Sequence, residues 1–272
     1  MALYRADPKD GLAWVTGASS GIGRQLALDL ARQGYTVAAT ARSQDKLASL
    51  SAEAAAEGKG KIFPFPADVT EMEAMAATVD AIEREHGPIV LGILNAGGSF
   101  PSRGDALVAG NFVATFEVNV FGIVHGLVPL VERMRSRGRG HVAFVGSISG
   151  YVGLPLAAAY GASKSAVNTM AEALKFDLDP MNIRLQVINP GFVKTPLTER
   201  NTFPMPALMT VEDASKRIVT GLRTGGFEVT FPRRLSYVLK LMKLVPHWGY
   251  FPLMKRVTGR NRRDTKSPQA GS

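Results

Sequence analysis

The chain has 272 residues, of which 46% are hydrophobic and 20% charged, enough for one large α/β domain with a substantial core and unlike a disordered chain. There is no cysteine, which excludes disulfides and thiolate metal sites and fits a reducing cytoplasm. The net charge of +9 lies in the C-terminal segment: residues 231–272 hold ten Lys/Arg and one acid (Asp264), whereas residues 1–230 hold 22 of each sign, which argues against a basic nucleic-acid-binding body.

The first eleven residues contain no apolar run, so no secretory leader is expected. The longest uncharged stretch, 140–163, is broken by Gly, Ser and Pro, and no membrane-spanning segment is expected. Residues 12–16 (LAWVT) read as a first strand. A helical pattern follows, with Ile22, Leu26, Leu30 and Ala31 on one face and Gly34 ending it. Further strands are predicted over 36–40, 61–70 (weakened by two prolines), 87–98, 141–150, 184–191 and 227–232, with helical patterns between most of them. Alternating apolar strands and helices imply an α/β fold, a doubly wound parallel sheet of about seven strands covered on both faces. The chain divides into a Rossmann-type body (1–230), a basic amphipathic extension (231–258) and a polar, disordered tail (259–272).

The first strand runs into Thr16-Gly17-Ala18-Ser19-Ser20-Gly21-Ile22-Gly23. In this spacing Gly17 makes the tight turn, Gly21 admits a diphosphate, and Gly23 lets the helix pack on the sheet. The helix N-terminus offers its free N–H groups to phosphate. The second strand ends in Ala41-Arg42-Ser43, without the acid that would bind the ribose hydroxyls of NAD, so Arg42 is placed for a 2′-phosphate. This favours NADP(H) and leaves NAD(H) use open.

Tyr160 and Lys164 lie four residues apart, on one face of a helix predicted over 157–178. An ammonium about 4 Å from the hydroxyl would stabilise a phenolate by roughly 4 kcal/mol at an effective dielectric of about 20, bringing the tyrosine toward neutral pH. Ser147 follows the fifth strand, at the end where parallel sheets place their ligands. The four histidines lack metal-ligand spacing, and no metal is expected.

Seven motifs occur in order: TGASSGIG (16–23), Asp68 in ADVT, NAG (95–97), Asn119 in EVNVFG, Ser147 in VGSISG, YGASK (160–164) and PGFVKT (190–195). In these the chain resembles the short-chain dehydrogenases/reductases over residues 10–230. The resemblance implies a ketone/secondary-alcohol oxidoreductase with Tyr160 as general acid/base, Lys164 tuning it and holding the nicotinamide ribose, and Ser147 holding the substrate oxygen. It implies that Asn119 holds a water in the proton path. Asp68 and Val69 should face the adenine, and Asn95, Ala96 and Gly97 should line the cofactor. Pro190, Gly191, Val193 and Thr195 should contact the nicotinamide, its carboxamide held by the Val193 backbone and the Thr195 hydroxyl. Ser20 stands where NADP-preferring relatives often carry a basic residue, so the 2′-phosphate rests mainly on Arg42. Such relatives pair as dimers or tetramers through the helices containing Asn119 and Tyr160. The competing reading is a catalytically silent cofactor-binding sensor or scaffold of the same fold.

After the last motif, residues 196–210 form the loop expected over the substrate, with Phe203, Met205, Leu208 and Met209 suggesting an apolar, lipid-like ligand. In the extension, Arg233, Ser236, Lys240 and Lys243 make one polar stripe of a helix that Pro246 ends, with apolar residues covering the rest and an aromatic cluster (His247–Phe251) following. Residues 233–258 are thus expected to meet a membrane surface, another subunit or the active site.

Overall fold

The computed structural model describes residues 3–58, 60–100, 104–199 and 205–258. Seven strands form one parallel sheet: β1 (Leu12–Thr16), β2 (Thr36–Ala41), β3 (Lys61–Pro66), β4 (Ile89–Leu94), β5 (Gly140–Val145), β6 (Ile183–Pro190) and β7 (Glu228–Phe231). Their order is β3-β2-β1-β4-β5-β6-β7. The chain starts at the centre, winds one way to β3, then crosses back to β4 beside β1. That reversal opens a crevice beyond the carboxyl ends of β1 and β4.

Helices α1 (Gly21–Arg32), α2 (Gln44–Glu57), α3 (Met72–His86), α4 (Ala109–Phe116), α5 (Gly122–Ser136), α6 (Ala158–Leu178) and α7 (Val211–Thr224) cover the sheet. Every residue of β1, β4 and β5 is buried, as strands covered on both faces require. Successive side chains of β1 serve opposite core layers. Ala13 and Val15 join Leu26, Leu30 and Ile218, while Leu12 and Trp14 join Met75, Ile82 and Leu130.

The two prolines of the third predicted strand are tolerated because β3 is an edge strand, paired only with β2. The strands predicted over 87–98 and 141–150 ran too long, and the one contained in 61–70 occupies its first six residues. β3 stops at Pro66, β4 at Leu94 and β5 at Val145, so Asp68, Asn95 and Ser147 fall in loops at the crevice. A π-helical turn, Glu117–Phe121, joins α4 to α5. The combined helix 109–136 is, contrary to expectation, long and apolar enough to cross a bilayer. Its inner residues Ile123, Leu127, Leu130 and Met134 are core residues here.

The extension folds as two helices, α8 (Arg233–Met242) and α9 (His247–Val257), so Pro246 caps a second helix as well as following the first. Part of the polar stripe faces the protein. Ser236 is buried against Thr230 (Oγ to Oγ 2.6 Å), and Lys240 pairs with Glu228 of β7. The apolar residues Tyr237, Val238, Leu241 and Leu244 point outward instead. The stripe satisfies polar groups at the sheet edge, which an apolar face would have left without partners. The tail 259–272 lies outside the described residues.

His141 on β5 is buried, and its Nε2 lies 2.8 Å from Gln186 Oε1, whose amide donates to the Gly221 and Gly226 carbonyls. Burial pushes its pKa down to about 3. The unfolded chain therefore takes up this proton first, so the stability tied to neutral His141 is full above about pH 6.5 and is lost as pH falls toward 3. Urea midpoints taken from pH 7 to pH 4 should fall, with this group contributing a slope approaching 1.4 kcal/mol per pH unit. His141→Gln should flatten the dependence even where it lowers overall stability. Parallel curves for the two proteins would contradict this.

Candidate active site

A cleft of about 420 Å³ runs across the carboxyl ends of the strands. It is lined by Gly17, Ser19, Ser20, Gly21, Ile22 and Gly23 of the first loop, Arg42 after β2, Asp68 and Val69 after β3, and Asn95, Ala96 and Gly97 after β4. Ser147, Tyr160, Lys164, Pro190, Gly191, Val193 and Thr195 also line it. Of the catalytic and cofactor residues singled out in the sequence, Asn119 alone is not among those that line it.

The glycine loop is shaped by contacts that forbid side chains. Gly17 and Gly21 have φ of 68° and 54°, the left-handed region that favours glycine. A Cβ on Gly17 would lie 2.8 Å from Ala96 Cα, and one on Gly23 would lie 2.4 Å from the Gly17 carbonyl oxygen. Thr16, which the motif contains but to which no role was assigned, ties the loop to β4. Its hydroxyl accepts the N–H groups of Asn95 (2.9 Å) and Ala96 (3.1 Å), and Asn95 Nδ2 donates to the Thr16 carbonyl (2.9 Å). The Asn95 side chain thus braces the loop.

Arg42 is 79% exposed and lies 3.7 Å from the Asp68 carboxylate. A pair this open holds the guanidinium weakly, by about 1 kcal/mol or less. Asp68 also accepts from the Thr70 N–H and hydroxyl. Ser43 and Lys46 line the same end of the cleft. Sequence reading missed both, although Ser43 directly follows Arg42 as the cap of α2 and Lys46 lies in its first turn.

At the other end, Ser147 begins the turn after β5 and its Oγ accepts the Ser149 N–H at 3.1 Å. Tyr160 and Lys164 occupy successive turns at the start of α6. Lys164 is buried. Its ammonium donates to the Val145 carbonyl at 2.8 Å and lies 5.8 Å from the Tyr160 ring centre. Burial pushes the Tyr160 hydroxyl above its ordinary pKa, with Ser147 pulling it partly back, and lowers Lys164 to about 8. The ammonium that was expected about 4 Å from the hydroxyl is directed to the Val145 carbonyl in this structure.

Asn119 is fully buried on the π turn behind Gly97 and Gly98. Its amide donates to the Gly98 carbonyl (3.0 Å) and Ser163 Oγ (2.9 Å), and its Oδ1 accepts the Gly98 N–H (2.8 Å). Those bonds commit the side chain to bracing the loop after β4, beside Lys164.

Beyond β6, the Gly191 N–H donates to the Phe231 carbonyl at 2.7 Å, and the Thr198 hydroxyl to the Val193 carbonyl at 2.6 Å. The Thr195 methyl stands against Gly21, where a Cβ would be 3.0 Å away. In the loop that follows, Phe203 lies outside the described residues. Met209 packs on the core through its pairing with Val193 rather than facing the cleft, whereas Leu208 is exposed.

Residues 12–204 match the family described as short chain dehydrogenase. An uncharacterized oxidoreductase of Myxococcus xanthus is 39% identical over 235 residues, covering 86% of this chain and 92% of its own. Among solved structures, a short-chain dehydrogenase/reductase of Burkholderia phymatum in complex with NAD superposes with a TM-score of 0.79 at 21% identity, covering 98% and 100% of the two chains. A short-chain dehydrogenase of Sphingobium yanoikuyae in complex with NADPH gives 0.76 at 23% identity, covering 95% and 99%. The chain belongs to the short-chain dehydrogenase family and is an oxidoreductase of that family.

The loop packing makes a sharp demand at Gly23. Gly23→Ala drives a methyl into the Gly17 carbonyl and should lower unfolding stability by about 1–3 kcal/mol, read from the denaturant midpoint. An unchanged midpoint would mean the loop yields freely.

Proposed function

We propose that the protein is an NADP(H)-dependent reductase that interconverts a ketone and a secondary alcohol on an apolar substrate. The observation that carries this reading is that Ser147, Tyr160 and Lys164 meet in one cleft with the glycine loop. The residues fit a dinucleotide: the left-handed glycines bring bare backbone to the cleft floor, and α1 starts there with free N–H groups. A bound nicotinamide dinucleotide supplies or accepts the hydride. Arg42, Lys46 and Ser43 suit a 2′-phosphate, and Asp68 and Val69 suit the adenine.

Ser147 donates its hydroxyl to the substrate oxygen, fixing the carbonyl and stabilising the charge that develops on it. Tyr160, held protonated by burial, donates its proton to that oxygen in the reductive direction. Lys164 supplies positive charge that stabilises the phenolate left behind. The Asn119 side chain positions the Gly97–Gly98 backbone beside Lys164. Leu197 in the cleft, with Met205 and Leu208 on the loop beyond, supports an apolar substrate.

The chain works in the cytoplasm as a homo-dimer or homo-tetramer. Val113, Phe121, Val128 and Phe176, exposed on the helices that carry Asn119 and Tyr160, supply an apolar face for self-association. The extension brings the enzyme to a membrane surface.

Three measurements test the chemistry. Tyr160→Phe should lower kcat for NADPH-dependent reduction by at least about a hundredfold while cofactor binding persists, since it removes the acid alone. Wild-type rates in the variant would sink the mechanism. Because the Tyr160 pKa is raised, the acid form holds through neutral pH and the base form gains only as pH rises. Reduction should therefore keep its rate at pH 7 and fall in alkali, while alcohol oxidation climbs over the same range. Arg42→Ala should raise the KM for NADPH about tenfold or more and leave that for NADH nearly unchanged. Equal effects on both would show that Arg42 does not read the 2′-phosphate.

A further inference from the structure

The extension shows an unusual division of labour. On α8 the groups turned inward are Ser236, Leu239 and Lys240, which meet the body through Thr230 and Glu228. On α9 the anchors are Met254, which is buried, and Tyr250, whose hydroxyl donates to the Gly153 carbonyl at 2.5 Å. The outward side carries Tyr237, Leu241, Leu244, Trp248, Phe251 and Val257, with Leu244 78% and Trp248 83% exposed. The body uses none of them to hold the helices.

The same outer side is cationic. Residues 233–258 contain six Lys/Arg and no acid, against a charge-balanced body. Lys240 is committed to Glu228, but Arg234, Lys243, Lys255 and Arg256 are exposed among the apolar side chains. A two-fold interface brings a patch against its own copy, so a second protomer here would set these cations against their like. An anionic lipid surface satisfies both characters at once. Aromatic and aliphatic groups enter the headgroup boundary, and Lys and Arg meet phosphates.

We propose that the outer face of α8 and α9 docks on an anionic lipid bilayer, with Trp248, Leu241 and Leu244 in the headgroup boundary and Arg234, Lys243, Lys255 and Arg256 on lipid phosphates. This deepens the membrane-surface contact proposed above, and it rests on the reductase reading only for its purpose. Tyr250 holds Gly153, in the loop between Ser147 and Tyr160. Docking therefore ties the bilayer-facing helices, through Tyr250, to the segment that links Ser147 to Tyr160.

The two tryptophans make the test direct. Trp14 is fully buried, so a change in emission on binding reports Trp248. The full chain is mixed with phosphatidylcholine vesicles, with or without about one third phosphatidylglycerol, and followed by fluorescence and co-sedimentation. With the anionic vesicles, emission should shift to shorter wavelength and the protein should sediment, both reversed by high salt. Leu244→Ser/Trp248→Ser should weaken sedimentation at least about tenfold, and Lys255→Glu/Arg256→Glu should abolish the preference for anionic lipid. Both variants should reduce a water-soluble ketone at the wild-type rate, which reports an intact fold.

Absence of both the shift and the sedimentation in wild type overturns the proposal, as does unchanged binding by the charge-reversed variant. A dimer lost in Leu244→Ser/Trp248→Ser, without vesicle binding, would assign the face to a second copy. Binding to polyglutamate but not to vesicles would assign it to an acidic protein; either result overturns the proposal. The binding readouts need no turnover. Tyr160→Phe should therefore bind vesicles like wild type, and failure of the reductase reading would appear separately, as activity that survives in that variant.

Discussion

The backbone of Gly17 lies so close to Ala96 that no side chain fits between the loops after β1 and β4. The rest of the site depends on that contact. These two strands flank the point where the sheet reverses direction, and both loops must close on each other to make the cleft floor. Thr16 and Asn95 lock the approach with three short hydrogen bonds. The π turn then adds Asn119 from below, clamping Gly98 through both its donor and its acceptor. The floor is therefore held by polar side chains whose capacity is spent within the protein.

Burial sets the chemistry above that floor. Lys164 is buried and Tyr160 half-buried at the cleft wall, and each is pushed toward its neutral form. For the proton donor proposed above this is serviceable, because a raised pKa keeps the hydroxyl loaded at neutral pH. The lysine retains its charge near neutrality with help from the Val145 carbonyl. Desolvation therefore acts on both groups, and the Ser147 hydrogen bond partly offsets it at Tyr160.

The extension follows a related logic at the sheet's far edge. Glu228 on β7 would rise in pKa on burial, yet hydrogen bonds from Lys240, Tyr151 and Asn189 hold it below the ordinary carboxylate range. Tyr151 comes from the loop after Ser147, Asn189 from the strand that leads to Pro190, and Lys240 from α8. One carboxylate therefore connects the extension to two segments that border the cleft. Its need for partners turns Lys240 inward beside Ser236 and Leu239 and leaves Tyr237, Val238 and Leu241 to solvent.

The sequence by itself determined the parallel α/β fold and the motif residues that meet in the cleft. Strand periodicity, glycine spacing and the Tyr160–Lys164 interval are local properties, written in consecutive residues. Only the tertiary structure decided where strands stop, that Asn119 braces rather than lines the cleft, that Ser43 and Lys46 join Arg42, and that Met209 packs on the core. Each of these turns on a partner distant in the chain: Gly98 for Asn119, the cleft wall for Lys46, Val193 for Met209. The orientation of α8 belongs with them. An amphipathic pattern identifies two faces of a helix, but which face turns inward depends on what waits for it, and here Thr230 and Glu228 demanded the polar one.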